Sequence, residues 1–222
     1  MIIITTLYLI RHSVRMPKSM IESYHTSQSS LVSSEKIILS VIGEERAKIL
    51  CNQKELENID VVYTSNCVRT LQTAKYLLES QNLKVNIDDR LDERRVGKRN
   101  DDIYPDWFTR QFLDHTYKTE GGESQIDVQN RFSEVIDEIL KKYKNKRIAI
   151  FSHGYAILFY LLKYCKLLEI NDERLKIEFK GNVFFDKQIN APELFKITID
   201  DNQEIQKIEL INIKELSQMK GA

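Results

Sequence analysis

Tyr8-Leu9-Ile10-Arg11-His12-Ser13-Val14-Arg15-Met16-Pro17 decides how the chain is read. The apolar, β-branched run from Ile2 to Ile10 stops abruptly at an arginine and a histidine, and the loop behind them carries a second arginine. A run that is apolar on both faces predicts a central strand of a parallel sheet, covered on either side by helices. Such a strand delivers Arg11 and His12 to its C-terminal end, where open α/β sheets bind ligands. The competing reading is an Arg-His pair that merely happens to end a core strand, and the remaining sequence must decide.

Downstream of the pair, Ser13 to about Ser34 is polar, Ser-rich and without periodicity, and it contains Pro17 and His25. A loop this long in a compact domain is usually functional or mobile. Apolar residues at 39, 42, 46/47 and 50 then predict a helix with Ser40 as its N-cap. Asp60 to Ser65 reads as a strand feeding a helix from Cys67 to Glu79, and Lys84 to Ile87 as a third strand. Residues 88–123 are irregular and hold the only tryptophan, Trp107, with Phe108, Phe112 and Tyr117. This segment is read as a lid-like insertion that contacts substrate.

Beyond it, Phe132, Val135, Ile136, Ile139, Leu140 and Tyr143 repeat at helical spacing within a helix from Ser124 to Tyr143. Arg147 to Phe151 is a strand ending in Ser152-His153-Gly154, and the apolar stretch Tyr155 to Leu168 is read as a helix. The last fifty residues turn to strand character: one strand over Lys176 to Phe185, then a hairpin at about 193–213 turning on Asp200-Asp201-Asn202-Gln203. Alternating strands and helices predict an α/β fold, three layers α/β/α around a mostly parallel sheet. No linker or internal repeat divides the chain, so 1–222 is expected to be one domain.

Composition narrows the function classes. Among 222 residues, 33 Lys and Arg balance 33 Asp and Glu, which leaves no global attraction for nucleic acid or anionic membrane. Any anion must be bound locally. Three cysteines, an odd number without CxxC or Cys/His metal spacing, suit reduced core residues of a cytoplasmic protein. Met1 to Ile10 lacks the basic start and cleavage site of a signal peptide, and Tyr155 to Leu168 is interrupted by Lys163 and Lys166.

Three strand ends carry polar residues: Arg11-His12, Ser65 with Arg69 just beyond, and Ser152-His153. In a parallel sheet they share one edge, so two imidazoles and two guanidiniums meet in one crevice. Guanidinium binds phosphate bidentately and imidazole can attack or hydrogen-bond a phosphoryl oxygen, which describes a phosphoryl-transfer site needing no metal and no cofactor.

Those residues resemble the histidine phosphatase superfamily, the phosphoglycerate mutase-like fold, in its small branch. Leu9-Ile10-Arg11-His12 is similar to the Arg-His-Gly motif with Ser13 in place of glycine, and Leu39-Ser40-x-x-Gly43-x-x-Arg46-Ala47-x-x-Leu50 to the family's first helix. Tyr63-Thr64-Ser65-x-x-x-Arg69-Thr70-Leu71-Gln72-Thr73-Ala74 resembles the segment carrying the second arginine. Leu91-Asp92-Glu93-Arg94-Arg95-Val96-Gly97 resembles the one with the acidic proton donor. Gly121-Gly122-Glu123-Ser124 precedes a helix as in the family, and Ser152-His153-Gly154 is similar to the second histidine motif.

The resemblance implies a phosphomonoester hydrolase of the histidine acid phosphatase type. In it His12 is the nucleophile that becomes phosphorylated, Arg11, Arg69 and His153 hold phosphoryl oxygens, and Glu93 donates the proton. Ser13 departs from glycine and sets a side chain beside the nucleophile. Arg-His-Ser-Val-Arg-Met-Pro also resembles the first loop of the larger acid-phosphatase branch, which makes Arg15 a candidate phosphate ligand. Arg94 resembles a substrate-contacting position in some relatives. His25 and His115 match no motif, and Glu123 reads as a charge suited to a helix start.

The expected partner is a small phosphorylated substrate or a phosphoprotein, not nucleic acid or membrane, with the protein a monomer or homodimer. The alternatives are a phosphoglycerate-type mutase and a catalytically inactive phosphate-binding or regulatory module. Ser-Val-Arg-Met-Pro after Arg11-His12 is not the mutase continuation. A serine-hydrolase mechanism lacks a Gly-x-Ser-x-Gly.

Overall fold

A computed structural model describes residues 4–20, 34–98, 102–171 and 174–219. Most of the Ser-rich loop, His25 included, lies outside the described residues. In chain order the elements are β1 (Thr5–Arg11), α1 (Val41–Cys51), β2 (Val61–Thr64), α2 (Val68–Gln81), β3 (Val85–Ile87), α3 (Trp107–Leu113), α4 (Gln125–Lys142), β4 (Arg147–Ser152) and α5 (Gly154–Leu161). There follow β5 (Lys166–Ile170), β6 (Leu175–Phe179), β7 (Asn182–Lys187), β8 (Glu193–Ile199), β9 (Ile205–Leu210) and α6 (Lys214–Gln218).

The central sheet has the order β3-β2-β4-β1-β8-β9. Its first four strands are parallel, while β8 and β9 add on antiparallel beside β1. Side chains alternate across β1 because the strand repeat is two residues. Leu7 and Leu9 join the core under α4 and α5, and Tyr8 and Ile10 join the core under α1, α2 and α6. Both faces are covered, giving an α/β/α sandwich. Each fully buried Leu or Phe in these cores contributes roughly 1.5–3 kcal/mol. Among the described residues no helix is long and apolar enough to cross a membrane.

Helix starts follow the local chemistry. The Ser40 hydroxyl accepts from Gly43 N–H at 3.1 Å, and Ser124 and Asp127 form a reciprocal capping box at the start of α4. Two expectations need correcting. The apolar stretch 155–168 is helical only to Leu161 and becomes β5 at Lys166, since a stretch so largely apolar carries no clear period to separate helix from strand. Residues 176–185 hold two strands rather than one. Lys180 and Gly181 both take positive φ (49° and 82°), the geometry of a two-residue hairpin turn, so β6 folds back on β7.

The loop after β1 is stapled to α1 and α2. Val14 carbonyl accepts from Ser40 N–H at 3.0 Å, Met16 N–H donates to Ile38 carbonyl at 2.9 Å, and Ser13 N–H donates to Thr73 Oγ1 at 3.0 Å. Gly43 permits this approach, because a Cβ there would run into Val14 carbonyl. Gly43→Ala is therefore expected to destabilise the fold by about 2 kcal/mol or more through overpacking, despite alanine's better helix propensity. Urea denaturation checks the sign; a stabilised variant would mean that the loop simply moves aside.

Candidate active site

β4 lies between β1 and β2, so the ends of these strands sit side by side. The ladder continues past the last paired residues: His12 N–H donates to Ser152 carbonyl at 2.9 Å, and Ser65 N–H donates to Phe151 carbonyl at 3.0 Å. His12 and Ser65 are thus pinned on either side of His153. The two imidazole rings meet edge to face with centroids 5.1 Å apart. Arg69, in the first turn of α2, donates from Nη2 to His153 Nδ1 at 3.0 Å and from Nη1 to Ser34 carbonyl at 2.6 Å. Arg11 donates from Nη1 to Ile189 carbonyl at 2.6 Å, and its Nε lies 3.1 Å from where a Cβ on Gly154 would stand.

Tautomers follow from these bonds. A carbonyl oxygen only accepts, so His12 Nδ1 carries the hydrogen in its 2.7 Å bond to Ser13 carbonyl, and its Nε2 keeps a lone pair. A guanidinium only donates, so His153 Nδ1 is the bare nitrogen and Nε2–H donates to Ser65 Oγ at 2.8 Å. Burial drives both histidines well below the usual imidazole pKa. Arg69 adds to this at each ring and Arg11 contributes at both. Both rings are neutral.

Each histidine protonates near pH 6.5 when unfolded but at a lower pH when folded, so its contribution is present above pH 6.5 and lost as pH falls below it. Between pH 7.5 and 5.5 that amounts to about 1.4 kcal/mol per ring. Asp92 opposes this, since burial raises its pKa to about 6 and it takes up protons on folding over part of the same range. A net loss of about 2 kcal/mol is expected from urea midpoints at the two pH values. Equal stability at both would contradict the neutral rings.

Arg11 Nε, Arg69 Nε and Ser13 Oγ are buried without a hydrogen-bond partner among the described residues. Such donors cost roughly 1–3 kcal/mol each when unpaired, and an oxyanion accepting from them offsets that cost. The Ser13 side chain therefore adds a buried hydroxyl next to His12. Glu93 faces Arg11 and accepts from Arg94 N–H at 3.0 Å and Ala156 N–H at 2.9 Å, at the start of α5. Arg15 is exposed, and its charge reaches His12 only weakly. Arg94 is buried over the Tyr155 ring at 4.6 Å, with Trp107 and Phe159 at 5.6 and 5.7 Å. Phe108 and Phe112 pack on Tyr155, and Phe112 also on Phe159, so much of the aromatic content of 88–123 serves packing. His115 is exposed.

Structure adds residues that sequence reading passed over. Glu123 does more than precede a helix: it is buried, accepts from Arg131 Nε at 2.9 Å and Nη2 at 3.1 Å, and from Arg95 N–H at 2.8 Å. Arg131 also donates to the carbonyls of Arg90 and Asp92, and Ser152 Oγ donates to Leu91 carbonyl at 2.6 Å. Together they clamp the segment carrying Glu93. Cys67, Asp92 and His153 bring donor atoms within 4.8 Å of one another. This cluster does not suit a cation: both His153 nitrogens are engaged, Arg69 stands beside it, and the Cys67 thiol is pushed up to about 11 by burial.

The sequence model of the histidine phosphatase superfamily (branch 1) matches residues 7–179. The chain belongs to that superfamily. A phosphoserine phosphatase 1 of Hydrogenobacter thermophilus is 32% identical over 142 residues, 60% of this chain and 65% of that protein. A probable phosphoglycerate mutase GpmB of Yersinia enterocolitica is 27% identical over 127 residues, 54% of this chain and 59% of that protein. The chain thus spans less than two thirds of the length of either relative. Among solved structures, a mycobacterial glucosyl-3-phosphoglycerate phosphatase with inorganic phosphate superposes with a TM-score of 0.66 at 17% identity, covering 93% of this chain and 95% of that one. Bacillus stearothermophilus YhfR gives 0.64 at 21% identity, covering 91% and 94%. At such identities these superpositions speak for the shared histidine phosphatase fold, and the strand ends that carry Arg11, His12, Ser65 and His153 belong to it.

Proposed function

We propose that this histidine phosphatase superfamily member is a phosphatase of the histidine acid phosphatase type. It hydrolyses phosphomonoesters through a phosphohistidine on His12, without a metal. The observation that carries the reading is the state of His12: a buried neutral ring whose Nδ1–H is tied to Ser13 carbonyl, leaving the Nε2 lone pair beside two guanidiniums with buried unpaired N–H groups. That lone pair attacks phosphorus, forming an N–P bond as the ester P–O bond breaks. Glu93 gives its proton to the leaving oxygen. Water then attacks the phosphohistidine and returns a proton to Glu93, and inorganic phosphate leaves. Arg11, Arg69, His153 and the Ser13 hydroxyl hold the phosphoryl oxygens, meeting with fixed cations the charge that a metal would otherwise meet.

We read the whole chain as one cytoplasmic catalytic domain in which 88–123 forms the wall above the site, with Arg94 and Arg15 contacting the rest of a small substrate. The phosphoserine and glucosyl-3-phosphoglycerate phosphatases among its relatives support phosphate esters that also carry a carboxylate. The GpmB similarity favours a second reading, a phosphoglycerate-type mutase. A panel of phosphorylated metabolites, phosphopeptides and an aryl phosphate, assayed in EDTA beside an active superfamily member, tests both. Release of inorganic phosphate supports the phosphatase, and interconversion of monophosphate isomers the mutase. No turnover of any compound overturns both in favour of a binding module.

A further inference from the structure

We propose that Asp92 is a positioning residue for His153, acting through the Ser65 hydroxyl to fix the Nε2–H tautomer and to balance the charge of the ring when phosphate is held. The inference rests on the phosphate-binding reading of His153 and names a residue that reading does not use.

Hydrogen-bond accounting leads to it. Ser65 Oγ accepts twice, from His153 Nε2–H at 2.8 Å and from Cys67 N–H at 3.3 Å, so both its lone pairs are filled and its own proton must be given away. Two acceptors are in reach. Thr70 Oγ1 stands 3.0 Å away, having given its own hydrogen to Cys67 carbonyl at 2.6 Å, and the neighbouring Asp92 carboxylate, whose pKa the Ser65 hydroxyl lowers, is the other. A carboxylate is the stronger acceptor of the two. Asp92 is itself oriented by Asn66 N–H at 3.2 Å, and an oxygen of it lies within 4.8 Å of a His153 ring nitrogen, the span of one intervening hydroxyl. The chain therefore runs Arg69 Nη2–H, His153, Ser65, Asp92.

Its chemical use appears when His153 turns to phosphate. Nδ1, the nitrogen beside Arg69, is bare and cannot donate to a phosphoryl oxygen. To donate it must gain a proton, from the phosphate monoanion or from solvent, and because Nε2–H stays committed to Ser65 the ring becomes an imidazolium. Arg69 and Arg11 oppose that charge. On the far side of the ring, Asp92 supplies the negative partner. Glu35 raises the Asp92 pKa and Arg131 lowers it, while burial dominates and brings it to about 6. The support is switched on as pH rises through that value.

The experiment follows the His153 ring by NMR, with inorganic phosphate as the probe, in wild type, Asp92→Asn and Ser65→Ala, alongside pH profiles of kcat and KM. In the phosphate complex the His153 pKa is expected to fall by about one unit in Asp92→Asn, a tenfold change in protonation. The inflection near pH 6 is expected to disappear from the profile, with kcat reduced more than KM is raised. Asp92→Asn can still accept from Asn66 N–H, so its fold persists. Ser65→Ala should reproduce the shift, and the double variant should add nothing to either single one. An unchanged His153 titration in Asp92→Asn, or additive effects, would overturn the proposal. Because the ring titration needs no turnover, it decides the role of Asp92 even if no ester in the panel is hydrolysed.

Discussion

Replacing His12 with alanine is expected to lower phosphomonoester hydrolysis by on the order of 10⁴-fold or more, while the protein stays folded. The size follows from what the side chain supplies. Without Nε2 there is no atom to form the N–P bond, and the remaining donors can only bind phosphate. Folding should survive the loss of this buried ring for two reasons. Its backbone N–H, bonded to Ser152 carbonyl, is retained, and a buried ring that loses stability in acid is removed. The thermal midpoint below pH 6 should therefore rise or hold, and phosphate affinity should persist. Activity within tenfold of wild type would show that another group attacks phosphorus.

The second large effect is at Arg69. Arg69→Ala removes a buried guanidinium that holds His153 Nδ1 and Ser34 carbonyl and whose Nε–H, without a partner among the described residues, is proposed to bind an oxyanion. Losing one such group costs about 10²- to 10³-fold in rate. A further signature separates this from general damage. Arg69 is the largest charge holding down the pKa of both histidines. Without it both pKa values rise towards 6.5, so the acid limb of the pH–rate profile should move to higher pH. A rate loss with an unmoved acid limb would mean that the guanidinium does not act on the rings.

These expectations depend on a geometry that was partly legible beforehand. Arg11, His12 and His153 could be read because a polar residue ending a buried parallel strand has only one edge to reach, and β1 and β4 pair with Arg11 opposite Ser152. Arg69 could be read because the strand-to-helix step from Ser65 places it in the first turn of α2. What escaped reading was held by contacts distant in sequence. Glu123 and Arg131 lie eight residues apart, and their buried ion pair is completed by Arg95 N–H and by the carbonyls of Arg90 and Asp92 from another segment. Asp92 opens a charge-rich run, Asp92 to Arg95, yet it is half-buried against Asn66 and Cys67. The strand β5 was hidden inside an apolar stretch, where pairing with β6 overrides the local pattern.

The central claim is that phosphorus is transferred to His12 Nε2. Its most direct test is rapid quenching of the enzyme into alkali during turnover of a labelled phosphomonoester, followed by peptide mapping. The account expects an acid-labile, alkali-stable phosphoryl group on the peptide containing His12, attached at Nε2. Label on Ser13 or Ser65, or turnover with no phosphorylated enzyme at any quench time, would contradict it.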